Sequence, residues 1–322
     1  MTDLSDKHIN HFRSLLDQPD LDGTRYRLIE KLGEGGMGVV WLAEDTHLKR
    51  QVAIKLVSLP EESTELAQRL TAEARIIASL EHPGIVPIHD LGTLPDGRLY
   101  YAMKHVRGER LDRWLTDDRP LVQRLNLFVR ICEPIAFAHA AGVVHRDLKP
   151  ENVMVGSFGE LLVMDWGIAR VATVEDQGVT ASGQPTDGRT RAGAVIGSPG
   201  YMAPEQAAGK PDLDHRADIY ALGALLAFLI VRKSKTGDKP GQSVPRPLQA
   251  VIGKCMADNP DDRYPAVQPL IDDIQAWITS EPVLAYHENL FERLMRFVKR
   301  NKFIVLLVCA YILARIILYF FR

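Results

Sequence analysis

The sequence GVVHRDLKPENVMV, residues 142–155, constrains the fold most strongly, because it places six polar side chains between two apolar stretches. The apolar flanks predict buried strands, so the polar residues would lie together between them. A charged surface loop is the simpler interpretation. The stricter one assigns a chemistry. Asp147 would accept a hydroxyl proton, Lys149 would neutralise a transferred phosphoryl group, and Asn152 would offer its carbonyl oxygen to Mg²⁺.

A single acid follows another apolar strand in LLVMDWGIAR, residues 161–170. Asp and Gly are frequent in turns, so a simple turn at Asp165 and Gly167 is one interpretation. A carboxylate at the end of a buried strand is also suited to bind a metal ion. If Asn152 binds Mg²⁺, Asp165 is predicted to be the second protein ligand of the same ion.

Glycines are concentrated in EKLGEGGMGVVWLAED, residues 30–45, between two segments with strand-like patterns. Glycines let backbone N–H groups approach an anion closely, which predicts a phosphate-binding turn. The dinucleotide-binding version of this motif opens a helix after the glycines, whereas VVWLA here predicts a strand. A plain hairpin turn is the alternative interpretation.

The next segment, QVAIKLV, predicts a strand with Ala53 and Lys55 on one face. A lysine in such a strand usually lies at an edge or extends to solvent. After a phosphate-binding turn, however, Lys55 is placed to contact phosphates, and a buried ammonium needs a counter-ion. Glu73, in the predicted helix ELAQRLTAEARIIASL, is the candidate, with Glu65 as its competitor. The residues predicted to flank Glu73 on the inward face are Ala72, Ala74, Ile76 and Ile77.

The overall composition indicates an ordinary globular protein. The chain has 322 residues, of which 25% are charged and 46% hydrophobic, and its formal net charge is -2. No nucleic-acid partner is expected from this charge balance. Cys132, Cys255 and Cys309 are scattered without metal-ligand spacing, which predicts a reducing compartment without disulfides. The first 20 residues lack a signal-peptide pattern and predict a short amphipathic helix.

The C-terminal sequence from Phe303 to Phe321 is apolar apart from Arg315. As a helix it would be roughly 28 Å long, close to the hydrocarbon thickness of a bilayer. Its Leu, Ile, Val and Phe residues favour insertion by about 4 to 8 kcal/mol, which exceeds the cost of about 2.5–3.5 kcal/mol for Arg315. Basic residues accumulate before the segment, which predicts that residues 1–302 are cytoplasmic. A buried or partner-packed helix is the alternative.

Six motifs follow one another in a fixed order, and together they resemble the bacterial form of the eukaryotic-type Ser/Thr protein kinases. They are G-x-G-x-x-G-x-V (Gly33–Val40), V-A-I-K (Val52–Lys55), the helical Glu73, H-R-D-L-K-P-E-N (His145–Asn152), D-x-G (Asp165–Gly167) and A-P-E (Ala203–Glu205). The resemblance implies an α+β, bilobal protein-kinase-like fold plus one C-terminal transmembrane helix. The implied segments are an N-terminal extension (1–24), a kinase domain (25–281), a juxtamembrane linker (282–302) and a transmembrane helix (303–321). Within the kinase domain, a β-rich N-lobe (25–106) would precede a mainly helical C-lobe (107–281).

The resemblance also implies the ligands and the residues that hold them. The phosphoryl donor would be ATP, with Mg²⁺, or with Mn²⁺ as an alternative. The implied catalytic residues are Asp147, Lys149, Lys55 and Glu73, and the implied metal ligands are Asn152 and Asp165. The implied ATP-binding residues are Leu32, Gly33, Glu34, Gly35, Gly36, Gly38, Val40, Ala53, Lys55, Met103, Lys104, Val106 and Met154. The family's structural contacts would be an ion pair between Glu205 and Arg263, and Asp218 supporting the catalytic loop.

Control by phosphorylation is implied by Arg146, which in this family pairs with a phosphate on the activation segment. Thr190 matches the position that bacterial members autophosphorylate, and Ser198 stands where a Thr usually contacts the catalytic Asp and Lys. A polar loop with incidental threonines is the alternative.

Two departures from the family pattern stand out. Trp166 replaces the usual Phe and should fit only if neighbours such as Ile77 and Ile88 leave room, because overpacking costs about 1–3 kcal/mol. Residues 231–247 are shorter than in the family and rich in Lys, Gly and Pro, which predicts a loop where a substrate-docking helix often lies.

These features predict a membrane-anchored Ser/Thr protein kinase with a cytoplasmic catalytic domain. Its partners would be proteins with Ser or Thr hydroxyls, the cell membrane through the C-terminal helix, and a second copy of the chain during autophosphorylation. Two alternatives stay open. One is a membrane-tethered pseudokinase that binds nucleotide as a scaffold, and the other is a small-molecule kinase on the same fold.

Overall fold

The computed structural model describes residues 18–35, 38–57, 64–115, 119–166, 200–210, 213–230 and 244–320. Within the helices some side chains are also outside the described part, including that of Glu73. The predicted N-terminal helix, Gly36, Gly167, Thr190 and Ser198 lie outside the described residues.

The N-terminal part of the described chain is an antiparallel five-stranded sheet in the order β1-β2-β3-β5-β4. Its strands are β1 (Tyr26–Gly35), β2 (Gly38–Asp45), β3 (Arg50–Val57), β4 (Ile88–Thr93) and β5 (Leu99–Lys104). Helix α1 (Thr64–Ala78) connects β3 to β4. The predicted strand–turn–strand arrangement around the glycines is confirmed, because β1 and β2 pair as far as Gly35 opposite Gly38.

The second part of the chain is mainly helical, with one small sheet that faces the first lobe. That sheet contains β6 (Gly108–Arg110), β7 (Val153–Gly156) and β8 (Leu161–Val163). The helices are α2 (Leu111–Trp114), α3 (Leu121–Ala140), α4 (Pro204–Ala207), α5 (Arg216–Ile230), α6 (Arg246–Cys255), α7 (Val267–Ile278), α8 (Leu290–Arg300) and α9 (Lys302–Phe320). Short 3₁₀ helices cover Pro150–Asn152 and Pro260–Asp262. The predicted two-lobed α+β architecture is therefore confirmed.

Alternate residues of the central strand, β3, belong to two different core clusters. On β3, Ala53 and Val57 belong to a large cluster that continues into the helical lobe. The intervening Ile54 and Leu56 pack into a second cluster on the other face of the sheet, against Trp41. Lys55 has the same parity as Ala53, so its side chain is directed toward the junction of the two lobes.

Three local predictions are wrong. Ala72 and Ile76 on α1, which are predicted to face inward, are exposed, whereas Ala74 and Ile77 are buried. The buried residues of this helix recur every three positions, which places Ala72 and Ile76 outside the buried face. The residues just before His145 form no strand, since they leave α3 through a turn at Gly142, whose φ is 77°. Arg246 and Pro247 lie within the segment predicted to be a loop, but they begin helix α6. Pro247 fits in the first turn because the backbone N–H that it lacks would have no partner within the helix there.

In the described part of the chain, no helix meets the length and hydropathy needed to cross a membrane. Helix α9 covers 19 residues, and the side chains of Lys302, Ile304, Val305, Cys309 and Phe320 in it lie outside the described set.

Candidate active site

Lys55 in the N-terminal sheet forms an ion pair with Asp165 in the second lobe. It lies on β3 with 6% of its surface exposed, and its Nζ is 2.6 Å from Oδ1 of Asp165, which follows β8. Burial by itself lowers the pKa of Lys55, but Tyr101 and Asp165 outweigh it and raise the pKa above its ordinary value. The side chain is therefore a permanent ammonium in a buried position, as a phosphate contact requires.

Asp165 is held in place by its backbone. Its φ of 55° is in the left-handed region, which is unusual for a residue with a side chain. The preceding residue, Met164, is fastened on both sides, because its N–H donates to the carbonyl of Asn152 at 2.8 Å and its carbonyl lies 2.9 Å from Nε2 of His145. Neighbouring contacts thus impose the turn that directs the carboxylate toward Lys55.

The three polar residues predicted to act together in the loop before β7 are in direct contact. Nζ of Lys149 is 3.0 Å from Oδ2 of Asp147. The amide nitrogen of Asn152 donates to the carbonyl of Asp147 at 2.7 Å and to its Oδ2 at 3.1 Å. With the side-chain nitrogen of Asn152 engaged in this way, the side-chain oxygen, Oδ1, is the atom that can serve as a metal ligand. The bond between Asn152 and Met164 connects this cluster to Asp165.

Asp218 on α5 supports the start of this polar loop by accepting backbone hydrogen bonds. Its Oδ2 accepts the His145 N–H at 2.7 Å and its Oδ1 accepts the Arg146 N–H at 2.8 Å, while Nε2 of His139 lies 2.8 Å from Oδ2. Burial alone would raise the pKa of Asp218, but the hydrogen bond from His139 and the other donors lower it. The ionised carboxylate holds two successive backbone amides, and one of them belongs to Arg146, whose φ is 64°.

His145 is a contributor that the sequence reasoning did not assign a role. Burial lowers its pKa, so the ring is neutral at pH 7. A neutral ring fits its neighbours, because Nε2–H can donate to Met164 O while Nδ1 accepts the Asp147 N–H at 3.3 Å. The signal in the sequence was its place in the polar cluster, but only the fold reveals that it connects Asp147 to the turn at Asp165.

Trp166 fits into the core of the helical lobe. Only 4% of its surface is exposed, its Nε1 donates to the carbonyl of Val163 at 3.3 Å, and its ring lies 4.8 Å from the ring of His145. Ile77 is buried in the same cluster and Ile88 packs against it. The indole is therefore accommodated, with its polar atom paired.

The predicted adenine-binding residues lie on both sides of the junction between the lobes. Val40 on β2 pairs with Lys55, and Ala53 pairs with Met103 on β5. Met154 lies on β7 of the small sheet and is half-buried. Ala53, Met103 and Val106 are buried, whereas Lys104 is exposed.

Among the described residues of the glycine-rich turn, Gly38 is a position where glycine is obligatory. Gly38 has a φ of 128°, and a Cβ there would lie 2.0 Å from the carbonyl oxygen of Leu56. A Cβ at Gly33 would meet nothing within 4 Å. Leu32 and Glu34 are exposed, and Glu34 pairs with Nζ of Lys31 at 2.6 Å. Gly35 ends β1 opposite Gly38.

Asn152 and Asp165 match the chemistry of a magnesium site. Both offer hard oxygen atoms, and Mg²⁺ in phosphoryl-transfer sites usually takes one or two protein ligands together with substrate phosphates. Within the described ranges no group of three or more His, Cys, Asp or Glu residues could hold a metal ion by itself.

A buried ion pair lies beside the site. Arg263 donates to both carboxylate oxygens of Glu205, at 2.6 and 2.8 Å, and its Nε donates to the carbonyl of Ala257 at 2.8 Å. Burial opposes ionisation of Glu205, but the bond from Arg263 lowers its pKa. Gln206, next in α4, donates to the carbonyl of Arg146 at 2.7 Å, so α4 is attached to the segment His145–Asn152, the predicted catalytic loop.

Comparisons with known proteins identify the family. A family model described as the protein kinase domain matches residues 26–274. This chain belongs to the protein kinase family.

Among its relatives, the serine/threonine-protein kinase PknD of Protochlamydia amoebophila is 33% identical over 294 residues, covering 79% of this chain and 30% of the relative. PknD of Chlamydia felis is 32% identical over 295 residues, covering 80% and 31%. The chain thus spans about a third of the length of these curated relatives. The crystal structure of the Mycobacterium tuberculosis PknI kinase domain superposes with a TM-score of 0.57 at 26% identity, over 78% of this chain and 95% of that one.

Proposed function

We propose that this chain is an ATP-dependent protein kinase that phosphorylates Ser and Thr hydroxyls of proteins. The observation that carries the proposal is the convergence of two clusters from different parts of the chain. Lys55 Nζ and Asp165 Oδ1 lie 2.6 Å apart across the junction of the lobes. The backbone hydrogen bond between Asn152 and Met164 links this pair to Asp147 and Lys149. The printed names of the PknD relatives support the choice of Ser/Thr substrates.

In the proposed reaction the substrate hydroxyl oxygen attacks the γ-phosphorus of ATP, the bond from that phosphorus to the β–γ bridging oxygen breaks, and ADP leaves. Asp147 orients the hydroxyl and accepts its proton. Lys149 neutralises charge on the transferred group, and Lys55, supported by Glu73, holds the phosphates. Asn152 and Asp165 would hold Mg²⁺, which supplies charge neutralisation at the phosphates when bound.

The nucleotide would lie between the lobes. Val40, Ala53 and Met154 are proposed to enclose the adenine ring, with Met103 behind it and the backbone of Lys104 and Val106 beside it. The glycine-rich turn, including Leu32, Glu34 and Gly36, would cover the phosphates. The proposed boundaries of the kinase domain are 25–281, with 25–106 as the N-lobe.

The test is phosphoryl transfer from labelled ATP by the full chain in detergent, with Asp147→Asn and Asp165→Asn beside the parent. Asp262→Asn is the matched control, because Asp262 is exposed and belongs to the 3₁₀ helix Pro260–Asp262, outside the segments that carry the cluster. We expect at least a 100-fold loss for both site variants, since positioning and charge stabilisation supply most of the rate. ATP binding by the parent without any transfer would favour the pseudokinase scaffold instead.

The same assay addresses regulation. We propose that Thr190 is autophosphorylated between two copies of the chain and that the phosphate pairs with Arg146. Phosphopeptide mapping of active protein should find phosphate at Thr190, and its absence there would contradict the assignment.

We also propose that α9 anchors the chain in the cell membrane, with residues 1–302 in the cytoplasm. The support is the surface of the helix, because Phe303, Leu306 and Tyr319 are 74%, 67% and 83% exposed, and exposed apolar residues continue around it. An apolar surface on all sides of a helix favours a lipid environment. Resistance of the membrane-bound chain to extraction at alkaline pH is expected, and release into the soluble fraction would contradict the anchor.

A further inference from the structure

Helix α8 separates its apolar and basic residues completely. At about 100° per residue, six apolar positions fall within an arc of about 160°. These positions are Leu290, Phe291, Leu294, Met295, Phe297 and Val298. The opposite arc carries four basic residues and one acidic residue, namely Arg293, Arg296, Lys299, Arg300 and Glu292.

Four residues of the apolar arc are exposed to solvent in the described part of the helix. Leu290, Phe291 and Leu294 are 83%, 70% and 59% exposed, and Met295 is 43% exposed. Isolated exposed apolar residues are common on proteins, but four on one face of a three-turn helix form a patch that indicates a partner.

We propose that α8 lies flat on a bilayer that contains anionic phospholipids, with its apolar arc in the headgroup–acyl boundary and its basic arc contacting the lipid phosphates. A helix with this separation, a net positive charge and Phe and Leu on the apolar face has the composition of an interfacial helix. Basic residues next to a membrane are attracted to the negative surface potential of the cytoplasmic leaflet. Arg296 is paired with Glu288 at 2.6 Å. The other three basic residues, Arg293, Lys299 and Arg300, would repel a second copy of the same helix, which makes anionic lipid the better occupant.

The position of α8 in the chain supports this assignment. Only Asn301 separates it from α9, so the proposal extends the membrane anchoring proposed above from a single tether to a defined contact surface. An anchored α9 would keep α8 next to the bilayer and raise its local concentration at the lipid surface.

The first turn of α8 also contacts the C-lobe and the segment that leads out of it. Asn289 and Glu292 cap its first turn reciprocally, with the Glu292 N–H donating to Asn289 Oδ1 at 2.8 Å and the Asn289 N–H donating to Glu292 Oε2 at 3.1 Å. Glu292 also accepts from the Tyr286 hydroxyl at 2.9 Å and lies 3.7 Å from Nη1 of Arg246 on α6. A lipid contact along α8 would therefore orient the kinase domain relative to the membrane.

The experiment places an environment-sensitive fluorophore at Leu294→Cys in the full chain, with Cys309→Ser as background. Cys132 and Cys255 are fully buried and remain unlabelled. The chain is reconstituted with vesicles of phosphatidylcholine alone or with increasing phosphatidylglycerol. We expect blue-shifted emission, quenched by brominated lipid, only with phosphatidylglycerol and weakened by salt.

A charge-neutralised variant makes the test specific. Arg293→Gln, Lys299→Gln and Arg300→Gln together should shift the equilibrium from the surface-bound to the released helix on the order of 100-fold, because each basic residue near an anionic surface favours binding several-fold. The matched control, Lys49→Gln with Arg113→Gln and Lys210→Gln, removes the same charge from exposed positions elsewhere and should change nothing.

The outcomes separate the two membrane proposals. Flotation of the chain with neutral vesicles tests insertion of α9. If the chain does not float with these vesicles, the anchor proposed for α9 is contradicted, but the surface contact of α8 is not. Flotation with water-like emission at position 294 in all lipids overturns the surface contact. A blue shift without lipid that grows with protein concentration would identify pairing between copies and would also overturn it.

Discussion

At the scale of single residues, the site depends on side chains whose polar atoms are paired while their bodies are buried. Trp166 is the clearest case, because its ring fills the core and its one polar atom donates to Val163 O. That carbonyl also accepts the N–H of Val86 at 3.1 Å, so it keeps a partner when the indole is removed. The larger ring at this position is therefore compatible with an intact turn at Asp165.

A prediction follows for Trp166. Trp166→Phe should cost about 1–2 kcal/mol in unfolding free energy, since it loses one shared hydrogen bond and leaves only a small gap in the core. Trp166→Ala should cost about 3–5 kcal/mol, because it leaves a cavity between His145 and the core. Urea unfolding of the full chain in detergent measures both. Equal costs for the two variants would contradict this account of the packing.

At the scale of elements, α5 determines the shape of the catalytic loop. Asp218 carries no reacting atom, yet its carboxylate holds the backbone N–H groups of His145 and Arg146. An amide at this position would direct an N–H₂ group at another donor, so the loop would lose a support that no water can easily replace. The ionised form of Asp218 is what the loop requires.

This requirement predicts a pH dependence. The folded pKa of Asp218 is lowered, so its contribution to stability is present above the unfolded pKa of about 4 and is lost as the pH falls through the folded value. Asp218→Asn should lower the unfolding free energy at pH 7 by about 1.5–3 kcal/mol. It should also flatten the decline in stability below about pH 4. Asp272→Asn, at an exposed position, serves as control, and parallel pH profiles for Asp218→Asn and the parent would refute the prediction.

At the scale of the whole molecule, a buried carboxylate joins the kinase domain to the segment that leads to the C-terminal helices. Asp273 on α7 is 1% exposed and accepts the N–H groups of Leu284 and Ala285 at 2.6 and 3.1 Å, as well as the Tyr264 hydroxyl at 2.6 Å. Burial raises the pKa of Tyr264, which therefore stays protonated as the donor. The chain that leads to α8 is thus part of the folded domain.

Removing this connection should release the linker. Asp273→Ala leaves the buried Tyr264 hydroxyl and the part-buried N–H groups of Leu284 and Ala285 without their acceptor, which should cost about 2–4 kcal/mol. Amide hydrogen exchange at Leu284 and Ala285 should become at least 10-fold faster, while the neighbouring Asp272→Ala, at an exposed position, leaves it unchanged. Unaltered protection in the Asp273 variant would disprove the connection.

The sequence by itself determined the two-lobed fold class and predicted the candidate site residues, because both depend on local patterns. The glycines between two strands, Lys55 one strand later, and the spacing of Asp147, Lys149 and Asn152 specify groups whose roles follow from residue type and order. Periodicity failed where burial was decided by neighbours, as at Ile76, and where a turn replaced an expected strand before His145.

Only the tertiary structure decided how distant residues meet. The pairing of Lys55 with Asp165 spans 110 positions of sequence, and the support of His145 by Asp218 spans 73. No local pattern contains such contacts, since they exist only after two lobes and several helices pack together. The same holds for the bonds that fasten α8 to the C-lobe. The basic and apolar faces of that helix can be read from its letters, but its fixed place on the domain depends on Arg246, Tyr286 and Glu292 meeting in space.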